Sequence, residues 1–218
     1  MWIFGNGLAA DCILFQASTA AEGVCLDDDY IKLPSSLRGH EVKPLSGVLD
    51  LTPRPELFIA LGYKNLNRTR SAVLGRIKSL GLSIGNVIAE PSLNNLLNFG
   101  VNNFIMQGAN IQPFVSLEDN VFIWSGSTIC HHVTMGSNIW ITAGSTIAGD
   151  THLGSNIFVG ANATIASGLS IGSNVFIGAG AIVTSDLPTG SVVIAKSSEK
   201  LRFSSEEFVR FLDLKGNY

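Results

Sequence analysis

Charge is scarce in this 218-residue chain. Asp, Glu, Lys and Arg make up 14% of it against 46% apolar residues, a balance too hydrophobic for an unfolded segment. The net charge is −3 and the pI is near 5.8. No cluster of Lys and Arg occurs before the C-terminal stretch, which leaves no basic face for nucleic acid. No apolar run approaches the roughly 18 residues of a membrane-crossing helix, and the opening Met1-Trp2-Ile3-Phe4 carries no basic leader. A cytoplasmic protein is therefore expected, without membrane or nucleic acid as partner. Cysteine is rare as well. Cys12, Cys25 and Cys130 are odd in number and show no paired spacing, which suits reduced thiols better than disulfides or a zinc site, so no metal is expected.

What the chain has in abundance is a ladder. An aliphatic residue or methionine stands at every sixth position through Ile105, Ile111, Leu117, Ile123, Ile129, Met135, Ile141, Ile147, Leu153, Val159, Ile165, Ile171, Ile177 and Val183. Neither a helix of 3.6 residues per turn nor a two-residue strand alternation generates that period. A six-residue repeat with Asn120, Asn138, Asn156 and Asn174 recurring every 18 residues predicts a triangular solenoid, three short strands to the coil. Asn and Gly adopt left-handed backbone angles cheaply and suit its corners. The fold class read from this is a parallel β-helix with one aliphatic plug per face, and Val121, Val133, Ala163 and Val175 also pointing inward. Phe122, Trp140, Phe158 and Phe176 alternate with these plugs and should form an aromatic strip outside one face, covered by a second subunit, by the N-terminal region or by the tail.

The ends read differently. Met1 to Phe4 is a strand, Gly5-Asn6-Gly7 a turn, Leu8 to Ala20 a helix, Val24 to Leu26 a second strand ending at Asp27-Asp28-Asp29. That order is that of a mononucleotide-binding unit, whose turn offers backbone N–H groups and a helix N-terminus to a pyrophosphate. Leu57 to Leu61 is a third strand closed by Gly62, and Asn65 to Leu80 has helical spacing. Tyr63, Asn65 and Arg68 are candidates for sugar or phosphate contact, with helix capping the competing role for Asn65. Residues 1–90 are read as this α/β domain, 91–200 as the β-helix and 201–218 as a helical tail. The crossing falls at Ile88-Ala89-Glu90-Pro91-Ser92, where Pro91 is expected to stop any helix. Ser204 and Glu207 have capping-box spacing in the tail, with Phe203 and Phe208 in staple positions.

One corner departs from the repeat. His131-His132 follows Cys130 where other corners carry small residues, and an imidazole is the usual proton acceptor in acyl transfer. A surface histidine pair at a turn is the competing reading.

The whole chain resembles the nucleotide-sugar N-acetyltransferases among the hexapeptide-repeat acyltransferases, relatives of sialic acid O-acetyltransferases. The match is carried by Gly5-Asn6-Gly7, by Ile59-Ala60-Leu61-Gly62-Tyr63 with Asn65 and Arg68 behind it, and by Ile129-Cys130-His131-His132-Val133-Thr134-Met135-Gly136. The resemblance implies a left-handed β-helix, a homotrimer with active sites between subunits, acetyl-CoA in the groove between two solenoids, and a Rossmann-like N-terminal domain holding the sugar nucleotide. It makes His131 the catalytic base and Gly149 the backbone donor to the carbonyl oxygen. Asp27 or Asp28 is implied near the nucleoside. His132 stands where the family usually has an acid, and Trp140 where some members place a second histidine. Both are possible supports for His131, and a backbone carbonyl or Asp150 could orient it. Ala161, Gly178, Ala179 and Gly180 are small enough at outward corners to admit the pantetheine arm, and Lys196, Lys200 and Arg202 could meet its phosphates. Cys130 sits in a slot that favours small residues, so a covalent relay is not expected.

The function so implied is acetyl-CoA-dependent N-acetylation of a nucleotide-linked (dTDP, UDP or GDP) deoxyamino sugar in surface polysaccharide (O-antigen) biosynthesis, by direct transfer in a ternary complex. O-acetylation, a zinc hydratase on the same solenoid and a non-catalytic binding module are the rivals. The hydratase needs a third placed histidine, and His152 lies off the coil repeat from His131.

Overall fold

The computed structural model describes residues 1–17, 19–29 and 34–214. Its N-terminal part is a five-stranded sheet of β1 (Trp2–Phe4), β2 (Gly23–Leu26), β3 (Ser36–Leu37), β4 (His40–Pro44) and β5 (Leu57–Ile59), in the order β3-β4-β2-β1-β5. All pairings are parallel except the β3–β4 hairpin. Helices α1 (Leu8–Gln16), α2 (Leu45–Leu49) and α3 (Arg68–Ser79) connect and cover it. The helix expected to reach Ala20 stops at Gln16, and Ser18 lies outside the described residues. The hairpin strands and α2 have too few residues to show periodicity and were not read from the sequence.

The ladder folds as its period demands. All of its plugs are buried in one continuous core, together with Val121, Val133, Ala163 and Val175. Three inward positions hold hydroxyls instead, each satisfied by a carbonyl: Ser127 donates to Thr142, Ser145 to Thr142 and Gly160, and Thr151 to Ala166. Three parallel sheets of seven, five and five strands form the prism. The first, here the aromatic face, includes Val121–Ile123, Ile139–Ile141 and Ile157–Val159. The second, the threonine face, includes Thr128–Ile129, Thr146–Ile147 and Thr164–Ile165. The third includes Thr134–Met135 and His152–Leu153.

Each corner is two residues, the second left-handed. Between the third and aromatic faces that residue is Asn102, Asn120, Asn138, Asn156 and Asn174, with φ between 58 and 68°. A hydrogen-bonded side-chain ladder runs along it, Asn102 to Asn120 and Asn120 to Asn138, each 2.8 Å.

The aromatic strip is covered by the N-terminal domain. Phe122, Trp140 and Phe158 are buried in one cluster with Ile3 and Phe58 of the sheet, Ala60 just after β5 and Ile13 of α1, while Phe176, outside that cluster, is 36% exposed. Polar contacts seal the seam: Asn102 exchanges hydrogen bonds with both backbone groups of Ile59, and Gln16 bridges the Ile105 carbonyl and the Gln107 N–H.

Two expectations at the junction are corrected. Val87–Ile88 already pairs with Phe104–Ile105 in the aromatic face, so the solenoid's hydrogen bonding begins before residue 91. Pro91 does not prevent a helix, because it falls in the first turn of α4 (Glu90–Leu93), where its missing N–H would have had no intrahelical acceptor. The tail forms α5 (Ser205–Leu214) with the expected capping box, Ser204 N–H to Glu207 at 2.8 Å and Glu207 N–H to Ser204 Oγ at 3.2 Å.

Candidate functional site

His131 occupies the first position of the corner that joins the threonine face to the third face, and its ring is exposed outside the prism. Three partners fix it. Its N–H donates to Gln112 Oε1 at 3.0 Å, its carbonyl accepts from the Asp150 N–H at 3.0 Å, and its Nδ1 lies 3.2 Å from Nδ1 of His132. The ring lies across Gly149, one coil on. A β-carbon at 149 would come within 2.6 Å of His131 Cε1 and 2.8 Å of Nε2, so only glycine leaves room for this orientation. Among the described residues no hydrogen bond occupies the Gly149 N–H.

The second residue of this corner varies more than at the other two. Phe114, His132, Asp150 and Gly168 hold φ of 69, 60, 58 and 72°, where the other two corners use Asn or Gly. Asp and His tolerate this region better than most side chains, so Phe114 is the strained member. Phe114 lies against His132 with ring centroids 4.8 Å apart. The Asp150 carboxylate makes no hydrogen bond to either imidazole among the described residues, and the ring nitrogen of His131 that has a partner meets His132 instead. Burial raises the pKa of the neighbouring Cys130 thiol, which disfavours the thiolate a covalent relay would need.

Trp140 does not support His131 within the chain. It lies on the aromatic face, across the prism from the corner that carries His131, because successive corners and faces alternate around each coil. Instead it lines an apolar cavity of about 500 Å³ between the two parts of the molecule, with Gly7, Leu8, Cys12, Leu61, Gly62, Tyr63 and Trp124. The sequence-predicted Gly7, Gly62 and Tyr63 are thus brought together. The Tyr63 ring packs on Phe158 and Trp140, at 4.6 and 5.4 Å between centroids. Gly5, at φ 127°, donates to the Cys25 carbonyl and packs against Ala60, placing the Gly5-Asn6-Gly7 turn at the C-terminal ends of β1 and β5, where ligands gather in open α/β sheets.

Other predicted residues already have partners. Asp27 forms a two-pronged ion pair with Arg76, with Oδ2 to Nη2 at 2.6 Å. Asp28 accepts from the Ser46 N–H and hydroxyl and so caps α2. Asn65 reaches Thr69 at 3.4 Å rather than capping α3, whose N-cap is Asn67. Arg68 bonds Asn174. Ala161 and Ala179 do stack at one corner on successive coils, through the Gly180 N–H to Ala161 carbonyl bond. Gly178 is corrected: it precedes the corner and is buried against Val193 and Ile194, leaving no room there for a ligand. Lys196 is exposed beyond the last strand.

The residue that sequence reasoning missed is Arg70. Among the described residues it is the largest fully buried side chain. Its Nε donates to Asn120 Oδ1 at 2.7 Å, Nη2 to the carbonyls of Asn120 and Ile139, and Nη1 to those of Leu61 and Gly62 in the cavity wall. The guanidinium also lies 4.0 Å from the Phe122 ring centroid and 5.3 Å from that of Trp140. Burial lowers its pKa to about 9, and among the described residues no carboxylate pairs with it to offset this. One signal was available: Arg70, Leu74 and Ile77 fall at i, i+4 and i+7 of α3, so an arginine stands in the apolar stripe.

Residues 150–185 match the bacterial transferase hexapeptide family (six repeats). The chain carries hexapeptide repeats over that stretch and shares the fold of solved acetyltransferases. No curated protein sequence matches it. Among solved structures, this hexapeptide-repeat chain is similar to the acetyltransferase domain of PglB from Neisseria gonorrhoeae FA1090 in complex with acetyl coenzyme A. The TM-score is 0.76 at 22% identity, over 92% of this chain and 98% of the other. It is likewise similar to PerB from Caulobacter crescentus in complex with CoA and GDP-perosamine, with a TM-score of 0.75 at 25% identity over 89% and 93%.

Proposed function

We propose that the chain is an acetyl-CoA-dependent N-acetyltransferase acting on a nucleotide-linked deoxyamino sugar, and that it works in the cytoplasm on the way to a surface polysaccharide. The observation that carries this reading is the imidazole of His131, held outside the prism over Gly149 with its Nε2 uncommitted. In the proposed reaction the sugar amine attacks the thioester carbonyl of acetyl-CoA. A C–N bond forms, the nitrogen's proton passes to His131 Nε2, and the Gly149 N–H donates to the developing oxyanion. Collapse breaks the C–S bond, and the proton leaves with the CoA thiol.

The acceptor's nucleotide is assigned to the cavity beside the Gly5-Asn6-Gly7 turn, against Gly62, Tyr63 and Trp140. The Trp124 Nε1–H, buried without a partner among the described residues, belongs to the same wall. This cavity adjoins the aromatic face and His131 stands on the opposite corner, so one chain cannot present both to one substrate. The reading therefore includes an oligomer, a homotrimer in the proposed form, in which one chain supplies the cavity and its neighbour the base. Acetyl-CoA would run along the threonine face, bounded by Gly149 at one edge and by Ala161 and Ala179 at the other. PglB's domain bound to acetyl coenzyme A and PerB bound to CoA and GDP-perosamine support these assignments.

The test is thiol release on mixing the protein with acetyl-CoA and a panel of UDP-, dTDP- and GDP-linked amino sugars. Release with at least one amine acceptor is expected. Release only with hydroxyl acceptors, or none from an intact oligomer, overturns the reading.

A further inference from the structure

We propose that His132 is a positioning residue that locks the tautomer of His131, doing with a neutral imidazole what a carboxylate does elsewhere. The inference rests on His131 being the base in the acetyl transfer proposed above. The two Nδ1 atoms are 3.2 Å apart, and a neutral imidazole has one N–H and one bare nitrogen. One Nδ1 must therefore donate and the other accept. If His131 keeps its proton on Nδ1, its Nε2 lone pair is free for the sugar amine, and His132 carries its own proton on Nε2. The reverse pairing puts the His131 proton on Nε2 and blocks it as a base.

The surroundings hold His132 in this role. Its backbone takes φ 60°, its N–H donates to the Pro113 carbonyl at 3.3 Å, and its ring is backed by Phe114. The other titratable groups at the corner are Cys130, immediately before the pair, and Asp150 on the following coil. The preceding coil contributes only the uncharged Gln112 and Phe114. None of these bonds a ring nitrogen of either histidine among the described residues, so the pair settles its protons between its own members. A proton on His131 Nε2 removes the base. A proton on His132 Nδ1 turns the acceptor into a donor facing another donor. Activity then requires both rings to be neutral.

Three measurements test this. Nitrogen-15 NMR of the histidine rings at high pH should show His131 as the Nδ1–H tautomer and His132 as the Nε2–H tautomer; the opposite assignment overturns the proposal, whatever the activity. His132→Asn, whose amide oxygen can accept the His131 Nδ1–H and whose residue type tolerates the left-handed angle, should keep most of the parent kcat. A loss in His132→Asn as deep as that in His132→Gly overturns the proposal. His132→Gly should lose about 10- to 100-fold in kcat with KM for both substrates little changed. If His131→Ala keeps full activity, the acyl-transfer assignment fails separately; if no acceptor is acetylated but the NMR tautomers are as stated, the lock stands and the acceptor assignment falls.

Discussion

The imidazole of His131 occupies the space into which a side chain at residue 149 would project, with Cε1 2.6 Å from the position of the missing β-carbon. Gly149 does not have a left-handed φ, so alanine suits its backbone, and the clash is with a ring that can swing away. Gly149→Ala should therefore leave thermal unfolding within about 2 °C of the parent while lowering kcat about 100-fold, since a misplacement of ~1 Å costs that much. Unchanged turnover would show that the ring's orientation is incidental.

His131→Ala removes the proposed proton acceptor and little else, because the ring is exposed. A loss of about 10²- to 10⁴-fold in kcat is expected, with far-UV circular dichroism unchanged. Turnover near that of the parent would end the assignment.

Arg70 should matter for stability before it matters for catalysis. Arg70→Ala removes the buried donor to the carbonyls of Asn120 and Ile139 and to the Asn120 amide oxygen, and leaves a void where the guanidinium packed on Phe122. A loss of about 3 kcal/mol or more is expected in chemical denaturation. Arg70→Lys should recover only part of it, because an ammonium has no planar fork to serve acceptors on both sides. A variant as stable as the parent would deny the seam its role.

Tyr63 closes the cavity from the loop after β5, packed at a tilt against Phe158 and Trp140 and half exposed. Tyr63→Ala should raise KM for the sugar nucleotide about tenfold with KM for acetyl-CoA unchanged. Equal effects on both would move the acceptor site elsewhere.

Acid sensitivity follows from Asp119. Burial would raise its pKa, but hydrogen bonds from Lys78 at 2.6 Å and from the Val101 N–H at 2.9 Å outweigh this, and the carboxyl is held below its ordinary 3.8. A lowered folded-state pKa means stabilisation that is complete above the unfolded value and is lost as pH falls through the folded one. Asp119→Asn should therefore cost stability at pH 7, less than about 1 kcal/mol for so exposed a pair, and nothing once the pH is below the lowered value. A difference that persists in strong acid would contradict the sign.

The solenoid could be read from the sequence because its physics is local and repeats: a plug every six residues and an Asn every 18 survive any ignorance of what lies opposite. His131 was visible for the same reason, as an interruption of a regular corner. What stayed hidden was contact between distant segments. The domain that covers Phe122 and Trp140, the bonds from Arg70 to Asn120 across 50 residues and from Asn67 to Ile157 across 90 leave no periodic trace. Asp27 and Asp28 look like ligands from their place after a strand, and only coordinates reveal that Arg76 and Ser46 have already engaged them. Gly178 was misplaced because a shift of one residue separates a buried strand end from an open corner.

The asparagine ladder welds the N-terminal domain to the coils, since Asn120 serves Arg70 on one side and Asn102 and Asn138 above and below. A domain anchored this way does not open and shut over its ligand. For the proposed acceptor, discrimination then falls to the fixed contours of the cavity rather than to the swing of a hinge.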